Sequence, residues 1–152
     1  MTIDELEAVC TQAAHTLVQR ERRPLPAAVV LPLPETTRVT TLPDFPDDDP
    51  ARFDLLAAFA ADVMRPANAP CYGFVAEATL DGEEGAVEVV TVAFGARRHR
   101  PRITAAPIGD RGLGAFLDSE ELDPTAMPFL APLQHAVDAA EPPDAAGPIG
   151  VG

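Results

Sequence analysis

The stretch CYGFVAEATLDGEEGAVEVVTVAFG, residues 71–95, decides the fold. Its first ten residues alternate, with Tyr72, Phe74, Ala76, Ala78 and Leu80 on one face and Val75, Glu77 and Thr79 on the other. A period of two marks a strand with one face buried. Ala86–Gly95 is a second strand, rich in valine, and DGEEG at 81–85 supplies a turn with two glycines. Pairing Leu80 with Ala86 predicts Phe74 beside Val92 and Tyr72 beside Phe94, which gathers the aromatic side chains on one face. A one-residue slip that sets Glu77 opposite Glu88 puts like charges together and is disfavoured. In the preferred register those two glutamates point to opposite faces and form no dyad. RITAAPI at 102–108 reads as a third strand, with ARRHR at 96–100 around the connection.

Upstream, Thr2 and Glu5 form a capping-box pattern for a helix that begins at Ile3. Ile3, Leu6, Cys10, Ala13 and Leu17 recur on one helical stripe, His15 points away from it, and Pro24 ends the helix. Ala27–Leu33 and Thr37–Leu42 read as a hairpin. Pro32 has no N–H for a ladder, so the first strand of this hairpin is expected at a sheet edge or to end early. Asp49 caps a second helix with Pro50 at its first position. That helix presents Phe53, Leu56, Ala60 and Val63 and stops at Arg65-Pro66.

Downstream of the meander, GDRGLGAFL reads as loop or a short irregular strand. Pro128 and Pro132 break the next helical pattern, which leaves a regular helix at about Pro132–Ala140, with Leu133 and Val137 inward and His135 outward. The expected order is α-ββ-α-βββ-α. It predicts an α+β single domain over residues 1–140, with a largely antiparallel five-stranded sheet and helices packed on it. Residues 141–152 have little to bury and read as a mobile tail. Roadblock- and profilin-like folds are similar in the order of their elements, a likeness that carries no activity.

Composition narrows the function class. The 152 residues carry 24 acidic and 11 basic side chains, every one of the latter arginine, for a net charge of −13. Such a charge repels phosphate backbones and anionic bilayers, so nucleic acid and membrane are not expected partners. No apolar run spans a bilayer and the N-terminus has no export signal, which points to the cytoplasm. Cys10 and Cys71 fit no zinc spacing and read as small buried side chains; no metal or cofactor is expected.

The sharpest chemical feature is the cluster Arg97, Arg98, His99, Arg100 and Arg102, with Arg111 nearby. Planar guanidinium groups suit bidentate anion recognition, and the alternative is a solvated hairpin tip balanced by acids such as Asp44–Asp49. The glycines of GDRGLG at 109–114 lack the lysine of a phosphate loop and read as turn residues. The acidic loop lacks the pattern of a calcium site. His15, His99 and His135 are scattered, and no catalytic residue is assigned. The sequence is thus read as a non-catalytic module that binds a protein partner or itself through an exposed sheet edge or face. Two alternatives stand beside it: a small-anion ligand-binding or enzymatic domain using the arginine hairpin, and an acidic inhibitor that mimics a polyanion.

Overall fold

The computed structural model describes residues 1–83 and 85–141. From residue 142 onward the expected tail lies outside the described residues. Helix α1 spans Ile3–Arg20 and starts with the capping box as read: Thr2 Oγ1 accepts from the Glu5 N–H, and Glu5 Oε1 accepts from the Thr2 N–H. Strands β1 (Ala27–Pro32) and β2 (Thr37–Leu42) follow as a hairpin. Helix α2 (Asp49–Phe59) continues through a π-helical turn at Ala60–Met64 into the short α3 (Arg65–Ala67). The meander is β3 (Cys71–Gly82), β4 (Gly85–Ala96) and β5 (His99–Gly109). Two-residue strands β6 (Gly112–Leu113) and β7 (Glu120–Glu121) lie against β5. A 3-10 turn at Pro128–Leu130 leads into α4 (Ala131–Asp138).

The architecture is α+β with one antiparallel sheet, as expected, but the sheet has seven strands rather than five and curls into a half-barrel. Its order is β2-β1-β3-β4-β5-β6, with β7 also on β5. The extra strands come from the chain after β5, where the glycine-rich segment gives β6 and Glu120–Glu121 gives β7 as the chain runs back along β5 instead of leaving the sheet. Helix α1 covers one face through Leu6, Cys10, Ala14 and Leu17 against Val30, Val75, Val92 and Phe94. On the other face α2, the π turn and α4 pack Leu56, Met64, Leu133 and Val137 against Leu31, Tyr72 and Phe74. Burial on both faces gives β1 a continuous apolar run.

The β3–β4 register differs from expectation by one residue. Leu80 pairs with Val87, Phe74 with Ala93 and Tyr72 with Gly95, and the ladder extends to Gly82↔Gly85. The connection therefore has two residues, not five, and that even count shifts the register. Gly85 supplies the positive φ of 118° that the tight turn needs. Val92 and Phe94 consequently face α1, opposite to Tyr72 and Phe74. Each large ring meets a glycine across the ladder, Tyr72 opposite Gly95 and Phe94 opposite Gly73. A Cβ on Gly73 would overlap the Cys10 thiol, and one on Gly95 would overlap Gln134 and the Tyr72 ring. Close approach of a helix to each face depends on these two positions.

Other local expectations shift for identifiable reasons. Of the two expectations for Pro32, an edge place for β1 fails and the early end holds: β1 stops at Pro32. Pairing of β1 with β3 ends at Val30, so the missing N–H falls where no partner is required. Asp48, not Asp49, caps α2, accepting from the Ala51 N–H at 3.0 Å. The π turn carries the helix into α3 at Arg65 and buries Met64, while Phe53 is left 43% exposed. His15 is half-buried rather than solvated, edge-on to Phe116 at 5.8 Å.

Candidate functional site: an open sheet edge beside helix α1

The arginine hairpin is largely spoken for by its own fold. Arg97 Nε donates to the Ala140 carbonyl at 2.8 Å, holding the end of α4 where unpaired carbonyls gather. Arg100 pairs with Glu121 at 2.8 Å, and Arg102 donates to the Ser119 carbonyl at 2.6 Å and to its hydroxyl at 3.1 Å. His99 Nδ1 lies 3.0 Å from the Arg100 carbonyl. Arg98, at φ 58° in the turn, donates its backbone N–H to Asp138 Oδ1. Among the described residues the acid that pairs with a guanidinium of this cluster is Glu121, not the Asp44–Asp49 loop, while Asp138 holds the backbone of the turn. That loop instead orders α2: Arg52 donates to the Pro46 carbonyl and lies over the rings of Phe45 and Phe129 at 5.4 and 5.2 Å.

Glu77 and Glu88 share a face, contrary to the expected register. Arg23 joins them, Nε to Glu77 at 2.9 Å and Nη2 to Glu88 at 2.5 Å. The two hydrogen bonds raise the Arg23 pKa, first through Glu77 and then Glu88. The two glutamates are not directly opposite, since Glu77 pairs with Val90 and Glu88 with Thr79, and the Arg23 guanidinium bridges the pair and offsets part of their repulsion. Cys10 and Cys71 are both buried under α1, and desolvation pushes their thiols up to about 12 and about 11. Thiolate chemistry is accordingly suppressed at both. Gly109 pairs with Gly112 around a β-turn, so the GDRGLG glycines serve the β5–β6 hairpin. Among the described residues no group of three His, Cys, Asp or Glu side chains could hold a metal ion.

Among the described residues, the outer edge of β2 stands without a partner strand. Leu33 donates to the Thr36 carbonyl at 2.9 Å, which closes the β1–β2 hairpin with a hydrogen-bonded pair. Hydrogen-bonded and non-bonded pairs alternate along an antiparallel ladder. Leu31↔Arg38, Val29↔Thr40 and Ala27↔Leu42 are therefore the bonded pairs. Thr37, Val39 and Thr41 turn their N–H and C=O groups outward, away from β1. Their side chains fall on the α1 side of the sheet, because Val39 lies opposite Val30.

The same three residues form the floor of a hollow of about 650 Å³, whose wall is α1 at Val9, Gln12 and Thr16. Helix α1 packs chiefly over β1, β3, β4 and β6, and the first half of β2, Thr37–Val39, is exposed. Sequence reasoning anticipated an exposed edge without identifying it. The available signal was the composition of TRVTTL, in which both faces carry threonine and only Val39 and Leu42 are apolar.

No protein-family model matches this chain, and neither a curated protein nor a solved structure is significantly similar to it, so its chemistry is read from its own geometry.

Proposed function

We propose that this domain is a non-catalytic self-association module in which a second copy adds its β2 to the free β2 edge. The outward backbone groups of Thr37, Val39 and Thr41 carry the reading, since an unpaired row of donors and acceptors is a template for another strand. The strand is also complementary to itself. An antiparallel two-fold pairing centred on Val39 sets Val39 against its own copy and Thr37 against Thr41, all on the α1 side. On the opposite side Arg38 meets Thr40, so no like charges stand directly across the ladder. Thr–Thr and aliphatic cross-strand pairs contribute roughly 0.2–1 kcal/mol each, and the isologous contact closes at two copies. The two grooves then face one another across the axis.

Sedimentation equilibrium on the full chain tests this. The expected result is a dimer that Val39→Lys converts to a folded monomer, because two ammonium groups would meet at the axis. Two copies at −13 each repel at long range, so added salt should tighten the dimer through screening. An acidic mimic on a basic partner has the opposite salt dependence. A wild-type monomer at high concentration, or a dimer indifferent to Val39→Lys, overturns the reading.

A further inference from the structure

At the corner of the molecule formed by β5 and α4, two hollows adjoin across Pro101 and Gln134. The inner one, about 210 Å³, has Tyr72 and Leu130 at its base and Leu122 and Met127 as walls. It exists because the chain between Leu122 and Ala131 carries prolines at 124 and 128 and cannot pack as a regular helix against the sheet. The outer hollow, about 220 Å³, is bordered by Arg98, His99, Arg100 and Asp138. An apolar chamber thus opens beside a mouth in which cationic side chains predominate.

The state of those cations defines what the mouth can take. Arg100 is neutralised by Glu121. Asp138 Oδ1 accepts from the Arg98 N–H at 2.8 Å and from Gln134 Nε2 at 3.0 Å, so protein donors already engage its charge. The Arg98 guanidinium makes no hydrogen bond or ion pair among the described residues; only its backbone is held. Gln134 is fully used, accepting from the Tyr72 hydroxyl and donating to the Ala96 carbonyl as well as to Asp138. The guanidinium left unpaired at the mouth is that of Arg98, a planar fork carried on a hairpin turn whose backbone is held by Asp138, and such a fork suits a carboxylate.

We infer that this cleft binds a small amphiphilic carboxylate, its apolar body in the chamber between Leu122, Met127 and Leu130 and its head on Arg98. The site is independent of the β2 edge. Pockets of this kind combine an apolar lining with a few placed polar groups that fix orientation.

Isothermal titration with hexanoate and with hexan-1-ol is the test. Hexanoate is expected to bind with one-to-one stoichiometry, the alcohol at least about tenfold more weakly, since it cannot make the charge-assisted pair. Arg98→Ala, at an exposed position, should remove that preference for the acid, and Met127→Trp should fill the chamber and abolish binding of both probes. Circular dichroism of each variant establishes that it is folded. Absence of hexanoate binding overturns the inference, as does an alcohol that binds equally well. So does binding that survives Met127→Trp.

Discussion

The two edges of the sheet are built in opposite ways. Along β5 the chain doubles back from Gly112 to Leu122 and closes the edge. Gly114 donates to the Pro107 carbonyl at 2.8 Å, Leu117 to Ala105 at 2.9 Å and Leu122 to Pro101 at 2.9 Å. Side chains reinforce the closure: Thr104 Oγ1 donates to the Leu117 carbonyl at 2.5 Å, and Arg102 reaches Ser119. Along β2 the outward backbone groups of Thr37, Val39 and Thr41 meet no other strand among the described residues. A chain that commits eleven residues to covering one edge has managed the usual hazard of unpaired strands there. On the proposed function, the contrast leaves β2 as the edge at which a second copy would pair, and closure of the β5 edge would stop the assembly at two copies.

Proline separates the inward and outward sides of β2 most sharply. Thr40 bonds to Val29 across the ladder, so Thr40→Pro removes a bond from inside the sheet and leaves a buried carbonyl unpaired. A loss of about 2–3 kcal/mol is expected in urea unfolding. Val39→Pro removes an N–H that points away from β1, where edge strands tolerate proline. Its cost to the monomer should stay below about 1 kcal/mol, yet the dimer should be lost. Equal destabilisation by the two variants would show that the alternation along β2 has been assigned wrongly.

The closed edge can be opened instead. Arg102→Ala with Thr104→Val deletes the side-chain bonds to Ser119 and Leu117 while keeping the sheet face of Thr104 filled. The expected cost is about 1–2 kcal/mol, the range for hydrogen bonds of which one partner remains. The more telling result is the association state. A molecule with two open edges has no reason to stop at two copies, so sedimentation velocity should reveal species larger than the dimer. A double variant that remains strictly dimeric would mean that the backbone bonds alone protect the β5 edge.

How much of this was legible in the sequence depends on the range over which each signal acts. Helix α1 with its Thr2/Glu5 box, the β1–β2 hairpin and the break between Pro128 and Pro132 follow from residues within a few positions of one another. The β3–β4 register was not legible, because it is decided by which ring meets a glycine: Tyr72 finds Gly95 and Phe94 finds Gly73 only when helices press on both faces. The fate of Pro32 likewise depends on where β3 ceases to pair. For the arginine hairpin the cluster was plain, but its occupancy was not. Ala140, Glu121, Ser119 and Asp138 reach it from elements distant in the chain, and none of them engages the Arg98 guanidinium. The β2 edge was visible only as a polar strand, since nothing in TRVTTL states which neighbour is absent.

The smallest effect expected is one of pH, and it falls on the closed edge alone. Immediately after Leu122 bonds to Pro101, the chain is held by Asp123, whose Oδ1 accepts from the Thr125 N–H at 2.9 Å and the Thr125 hydroxyl at 2.8 Å. These bonds, the backbone one first, hold the Asp123 pKa below its ordinary 3.8. A depressed carboxylate stabilises the native state above its unfolded pKa, and that contribution fades as pH falls through the lower folded value. The clamp is therefore intact at neutral pH and weakens below about pH 4. Amide exchange at Leu117 and Leu122 should quicken over that interval relative to the β3–β4 ladder, since local opening precedes global unfolding. Asp123→Asn should flatten the dependence, because an amide accepts the same bonds without titrating. The open edge has no carboxylate among Thr37–Leu42, so exchange along the β1–β2 ladder should not follow this titration. If the amides of both edges respond alike, acid acts on the whole fold and the Asp123 clamp is not what secures the closed one.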